Sequence, residues 1–309
     1  MIPMTKQGEW LIGTIPDEVH DVPIGHLLRE VWKWPKKQVH LLFQEKGLLL
    51  DESPIAQHVK VREGQELRAR LCPPEPLGVE PAFGGLEVLY EDDHLLVVNK
   101  PAGVLLHPTE KHHQGTLDHL VAGYFQQTGL QARVRHVHRL DQETSGAVMY
   151  AKHPLASARL DEFLRERKIK RCYVAYVHGK LTQSSGKIAE PIGKDRSHPN
   201  RRRVTPGGDH AVTHFHVTQH FHHATKLECE LETGRTHQIR VHLSYLGYPL
   251  IGDVLYGGKA ELLNRQALHA FALRFVHPFD EEPREVFAPL PPDLRKLETV
   301  LMNRQSKRS

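Results

Sequence analysis

The hydrophobic rhythm of the chain changes near residue 75, and that change divides it. In His26 to Trp34, Leu27, Leu28 and Val31 recur at helical spacing. Pro35 then suits the first turn of a second helix, in which Val39, Leu42 and Phe43 form an apolar stripe that stops at Gly47. Leu48 to Leu50 read as a short strand. Val59 and Val61, the turn at Glu63-Gly64, and Leu67, Ala69 and Leu71 read as a hairpin-like end. In Cys72-Pro73-Pro74-Glu75-Pro76-Leu77-Gly78, proline fixes the backbone and removes N–H donors, so neither helix nor central strand passes through. The pattern predicts a small N-terminal module at 1–75, a linker at 76–85 and a larger domain at 86–303.

Beyond the linker a period of two dominates. Leu86, Val88 and Tyr90 alternate, Glu91-Asp92-Asp93 turns the chain, and Leu95 to Val98 form a buried-type run broken by Asn99 to Gly103. A helix is predicted over His153 to Lys168, with Ala156, Leu160, Phe163 and Leu164 on one face. Arg171 to Gly179 read as a strand, with Tyr173, Ala175 and Val177 sharing a face. Thr225 to Glu232 set Leu227, Cys229 and Leu231 inward against Lys226, Glu228 and Glu230 outward, as in a half-solvated strand. Thr236 to Leu246 give a further helix with Ile239, Leu243 and Leu246 on one face. Strands and helices do not alternate strictly. The fold class predicted is therefore α+β: a mixed, mostly antiparallel central sheet flanked by helices, plus a small N-terminal α/β module. Asn303 to Ser309 are polar and expected to fray.

Composition adds less. A chain of 309 residues can bury one sizeable core and an accessory domain. The net charge is only +4, but residues 194–203 alone hold five basic side chains (Lys194, Arg196, Arg201, Arg202, Arg203) against Asp195. Such a loop suits a phosphate backbone, or is simply a solvated charge run. The three cysteines, Cys72, Cys172 and Cys229, have no metal-type spacing and fit a reducing compartment. Met1 to Trp10 lack a basic start followed by an apolar run, and no stretch approaches membrane-spanning length. A cytoplasmic monomer without membrane contact is expected.

The candidate chemistry lies in Arg135-His136-Val137-His138-Arg139-Leu140-Asp141-Gln142-Glu143-Thr144-Ser145-Gly146, a polar loop between apolar runs. Asp141 sits among basic and imidazole neighbours, a setting that suits an ionised nucleophile better than a proton donor. A surface loop with a salt bridge is the plainer reading of these residues alone.

His-Arg-Leu-Asp-x-x-Thr-Ser-Gly resembles the active-site segment of the RluA-type pseudouridine synthases. Val98-Asn99-Lys100-Pro101-Ala102-Gly103, Gly234-Arg235-Thr236-His237-Gln238-Ile239-Arg240-Val241-His242, Leu250-Ile251-Gly252-Asp253 and Leu268-His269-Ala270 resemble further segments of that family, in the same order. The resemblance implies conversion of uridine in ribosomal or transfer RNA to pseudouridine, with base flipping and with no metal or organic cofactor. It implies Asp141 as the essential carboxylate, Arg235 as its charge partner and Tyr173 as the ring against the base, possessing also the option of taking a proton. For Arg235 a helix-start phosphate contact stands as the alternative, and for Tyr173 core packing. Arg139 is expected to fill the gap left by the flipped base, or to contact a phosphate. Lys100, His138, Ile239, Leu243, Arg201, Arg202 and Arg203 complete the expected substrate contacts. His136, His237 and His242 are expected to support the site or touch RNA. The N-terminal module loosely resembles the RNA-binding module named after ribosomal protein S four. Leu49-Leu50-Asp51-Glu52 replaces that module's usual Val-Asn-Gly, which leaves RNA binding and a structural appendage both open.

Two other classes compete. One is an RNA-coating protein with a vestigial motif. The other is a histidine-metal hydrolase built on His214, His216 and His220-Phe221-His222-His223, part of a chain with 24 histidines.

Overall fold

Proline and left-handed residues break the N-terminal region into short elements, with Asp21, Lys33, Lys46, Asp51 and Glu52 at positive φ. The computed structural model describes residues 4–110 and 113–306. Strands β1 (Thr5–Gln7) and β2 (Trp10–Thr14) come first. Helix α1 (Ile24–His26) continues only as a π turn over Leu27–Val31, where the predicted helix ran to Trp34. Lys33 at φ 55 and Pro35 stop it, and Trp32 and Trp34 turn inward to be buried. Helix α2 (Lys36–Gln44), β3 (Leu48–Leu50), β4 (Ser53–Pro54) and β5 (Glu66–Arg70) follow. The strands form a five-stranded sheet in the order β1-β2-β5-β3-β4. Residues 59–61 form only a single bridge, Pro23 to Lys60, rather than the predicted strand.

The Pro-rich segment is tied down. Arg135 Nη2 donates to both Glu75 oxygens at 2.6 and 2.8 Å, and Val134 N–H donates to the Leu77 carbonyl at 2.9 Å. The larger region then runs β6 (Glu87–Glu91), β7 (Leu95–Lys100), α3 (Leu117–Gln127), β8 (Ser145–Ala151), α4 (Pro154–Arg165) and β9 (Ile169–His178). It continues through β10 (Ser185–Ile188), β11 (Ile192–Lys194), β12 (Arg202–Val204), β13 (Thr213–His220), β14 (Ala224–Leu231) and α5 (Gln238–Tyr245). It ends with β15 (Leu268–Val276), β16 (Pro283–Phe287) and α6 (Pro292–Ser306). Asn303 to Ser306, expected to fray, are helical here; the last three residues lie outside the described residues.

Nine strands form one mixed sheet, β10-β13-β14-β9-β15-β8-β7-β6, with β16 also on β15. Its pairings are antiparallel except β8 with β15. Both faces are covered. On β8, Ala147, Met149 and Ala151 pack in one apolar cluster with α4 and with N-terminal residues such as Leu28 and Trp34. Val148 and Tyr150 face the other way, into a cluster holding Val121 and Phe125 of α3 and Ile239 and Leu243 of α5. Alternating side chains of a strand point to opposite faces, so one fully buried strand serves both layers. The parallel β8–β15 contact requires a glycine: a Cβ on Gly146, at φ 118, would lie 2.2 Å from the Ala270 carbonyl oxygen.

Candidate active site

The loop before β8 is held at four points. Lys100, fully buried, donates its Nζ to the carbonyls of Pro101, Val104 and Gln142 at 2.9, 2.6 and 2.7 Å. Gln142 and Gly103 exchange hydrogen bonds at 3.0 Å each way. Arg265, paired with Asp293 at 2.6 Å, donates Nη1 to the Glu143 carbonyl at 3.1 Å. Gln266 Nε2 reaches Thr144 Oγ1 at 3.2 Å. Lys100 was expected at the substrate; it clamps the loop instead, because it lies at the end of a buried strand with three carbonyls around it. Burial pushes its amine down to about 7, yet three acceptors match the three donors of an ammonium. Replacing Lys100 with Met leaves those carbonyls unmatched. A stability loss of about 3 kcal/mol is expected in a denaturant titration.

Asp141 lies within this loop with 17% of its side chain exposed. Its partner is Arg240, whose Nη1 lies 3.1 Å from Asp141 Oδ2. Arg240 also holds Asp253 bidentately, Nε at 2.7 Å and Nη2 at 2.8 Å. Asp253 is almost wholly buried, and the Tyr256 ring lies under the guanidinium at 4.9 Å. Burial opposes the charge on Arg240. Asp253, then Asp141, outweigh it and hold its pKa above the ordinary value. Arg235, the expected partner, does not reach Asp141. It sits in the turn before α5, and its Nε donates to the His210 carbonyl at 3.0 Å. Arg240, in the first turn of α5, faces the loop.

The turn itself is fastened by Gln238. Its Nε2 donates to the Val212 carbonyl and Thr213 Oγ1 at 2.9 and 3.0 Å, and its Oε1 accepts from Arg235 N–H at 3.0 Å. His237 caps α5 in the left-handed region, at φ 59. The Tyr256 hydroxyl oxygen accepts from the Arg202 N–H at 2.9 Å and lies 2.8 Å from His237 Nδ1. His237 Nε2 lies 3.9 Å from Asp141 Oδ2. Burial lowers the His237 pKa, with Asp141 opposing, so a neutral ring borders the carboxylate.

Two depressions meet at Asp141. One is lined by Leu140, Arg171, Tyr173, Ile239 and Leu268; the other by His107, Arg139, Pro199, Arg202 and Leu255. Tyr173 and Ile239 are thus beside the carboxylate. Burial pushes the Tyr173 phenol up to about 12, Arg171 opposing, which keeps it protonated and makes the ring face its usable feature. Leu243 is a correction: one turn beyond Ile239, it is fully buried in the core and lines neither depression. His138 lines the first depression, with Nε2 accepting from Met149 N–H at 3.2 Å.

β11 and β12 pair as a hairpin beside the cleft. Arg201 is engaged within it, at 2.6 Å from a buried Asp195, so its charge is largely neutralised there. Ser197 first, then Arg201, hold the Asp195 carboxyl well below the usual range. Arg203 is exposed, and Arg202 lines the cleft. His136 meets Asp118 at 3.2 Å, and His242 bonds Thr213 and the Glu190 carbonyl, each at 2.9 Å. His214 pairs with Glu232 at 2.6 Å. Among the described residues no group of three or more His, Cys, Asp or Glu side chains could hold a metal ion.

Comparison with known proteins decides the family. The model for RNA pseudouridylate synthase matches residues 94–245, and that for the RluD ribosomal pseudouridine synthase N-terminal domain matches 11–67. The uncharacterized RNA pseudouridine synthase YhcT of Bacillus subtilis is 44% identical over 296 residues, 95% of this chain and 98% of the relative. The chain belongs to the RluA-type family of RNA pseudouridine synthases. It is an isomerase acting on uridine in RNA. The ribosomal large subunit pseudouridine synthase D of Nitrosomonas europaea is 35% identical over 301 residues, covering 94% of this chain and 87% of the relative. Human RNA pseudouridylate synthase domain containing 1 superposes with a TM-score of 0.57 at 30% identity, over 70% of this chain and 89% of that one. The α+β class, with its mixed and mostly antiparallel sheet, is that of these synthases. Asp253, Arg265 and Tyr256 received no role from the sequence, although Asp253 closes a family segment. Among the described residues no helix is long and apolar enough to cross a membrane.

Proposed function

We propose that this synthase isomerises specific uridines of folded RNA through Asp141, on a nucleoside turned out of its stack, without a cofactor. The observation that carries this reading is the Asp141–Arg240–Asp253 chain at the meeting of two depressions. A carboxylate fixed by a bidentately held guanidinium stays in one geometry while a sugar is brought to it. It either adds to the first carbon of the sugar or assists departure of the base. Tyr173 and Ile239 offer flat and apolar surface to the base, and the exposed Arg139 lies where it can take the base's place in the helix. Relatives named for the ribosomal large subunit make that RNA the first substrate class to test. Purified protein is incubated with large-subunit RNA and with transfer RNA, each labelled with tritium at uridine carbon five. Tritium release from the first supports the assignment; release from neither contradicts the reading.

The hairpin at β11–β12 is proposed to hold RNA backbone without reading its sequence. Replacing Arg201, Arg202 and Arg203 with Gln weakens binding and lowers the slope of log K against log salt by about 1–2, with Arg201 contributing least. An unchanged slope in a filter-binding titration would refute this role.

A further inference from the structure

Among the described residues four arginines are buried: Arg159, Arg171, Arg240 and Arg265. Three of them pair with a carboxylate, Arg159 with Glu162, Arg240 with Asp253 and Arg265 with Asp293. Arg171, at 9% exposure on β9, makes no such pair among the described residues. Its Nη2 reaches the Leu231 carbonyl only at 3.5 Å, and its buried Nε has no partner. A buried cation without a counter-charge costs several kcal/mol unless something else supplies acceptors. Arg171 lines the same depression as Asp141 and Tyr173, among Leu164, Leu231 and Leu268. Gly234 leaves room for it: a Cβ there would lie 2.6 Å from Arg171 Nη1.

A second unmatched atom belongs to a residue that lines this depression, His138. His138 Nε2 accepts from Met149, so its proton sits on Nδ1, which is buried and without a partner. Burial, then Arg171, lowers the His138 pKa to about 3, so the ring is neutral. Two donors on residues lining one cleft therefore lack acceptors, beside the apolar side chains of Leu140, Ile239 and Leu268. Uracil is a flat ring with two carbonyl oxygens.

Resting on the reading of Asp141 above, we propose that Arg171 is a further catalytic residue, donating with His138 to the carbonyl oxygens of the everted uracil. When the bond from N1 to the sugar breaks, its electron pair leaves with the base, and the charge spreads over N1 and both oxygens. Arg171 stabilises that anion while the base turns. Carbon five then gives an electron pair to the sugar carbon, its proton leaves, and N1 takes one up, so nothing is gained or lost overall. A preorganised donor at a developing anion is worth about 10²–10³ in rate.

The test uses the full chain with Arg171→Met and Arg171→Lys. At saturating RNA, Arg171→Met lowers single-turnover tritium release about 10²-fold or more. RNA affinity, its salt slope and the melting temperature stay at or above wild-type values, because an unpaired buried charge has been removed. Arg171→Lys recovers part of the rate. Gly234→Ala, which pushes on the guanidinium, slows wild type but has no effect in the Arg171→Met background. A wild-type rate in Arg171→Met overturns the proposal. So does a rate loss matched by a lower melting temperature, which makes Arg171 structural, or a lower salt slope with normal rate, which makes it a phosphate contact. Wild-type turnover by Asp141→Ala would instead overturn the reading beneath it, whatever Arg171 does.

Discussion

Asp141→Ala or Asp141→Asn lowers pseudouridine formation by about 10⁴-fold or more, the scale seen when an essential nucleophile is lost. RNA affinity changes little, because backbone contacts from basic side chains supply most of it. Folding holds as well. Asp141 is partly exposed, and Arg240 keeps its bidentate partner Asp253 when Asp141 is gone. Asn keeps the shape of the carboxylate but removes its charge and turns one acceptor oxygen into an NH2 donor, so a loss with Asn as severe as with Ala assigns the effect to the ionised carboxylate rather than to the volume of the side chain. Multiple-turnover tritium release and filter binding on the same preparations check both halves.

The second large effect falls on Asp253. Asp253→Asn removes the counter-charge from a guanidinium that is nearly buried, with 8% of its side chain exposed. Breaking one side of a buried pair costs about 3–5 kcal/mol, because the other charge is stranded. Turnover falls by about 10²-fold too, because a misplacement of roughly 1 Å at the reacting groups has that cost. Replacing both members, Arg240→Met with Asp253→Leu, restores much of the stability and none of the activity. That contrast separates the folding role of the pair from its placement of Asp141. Denaturant midpoints with unchanged slopes, measured beside turnover, distinguish the two.

Much of this site was legible in the sequence, and the failures have local causes. The loop to β8, the strand carrying Tyr173 and the turn into α5 follow from period-two and period-3.6 patterns broken by polar residues. The identity of the ion-pair partner does not. Arg235 and Arg240 occupy one segment, and their roles depend on where α5 begins. It begins at Gln238, two residues later than the pattern implies, because His237 takes a left-handed conformation. Asp253 joins from a loop after that helix, and nothing in spacing announces it. Lys100 shows the opposite error: a lysine in a family segment suggests substrate contact, while its carbonyl partners come from residues 101, 104 and 142. Helix α3 was missed because its cap is unusual. His119 Nδ1 accepts from Thr116 N–H, a place where Glu or Gln usually signals a start. Arg171 read only as the basic residue before Tyr173, since a missing partner is visible only in three dimensions.

The most direct test of an aspartate acting on an everted nucleoside is a structure of this enzyme bound to RNA whose target uridine carries fluorine at carbon five. Fluorine cannot leave as a proton, so the reaction stalls with the base still held. The account predicts the nucleoside out of its stack, its sugar against Asp141 and its ring beside Tyr173. A target base still paired within the RNA, or a sugar out of reach of that carboxylate, would contradict it.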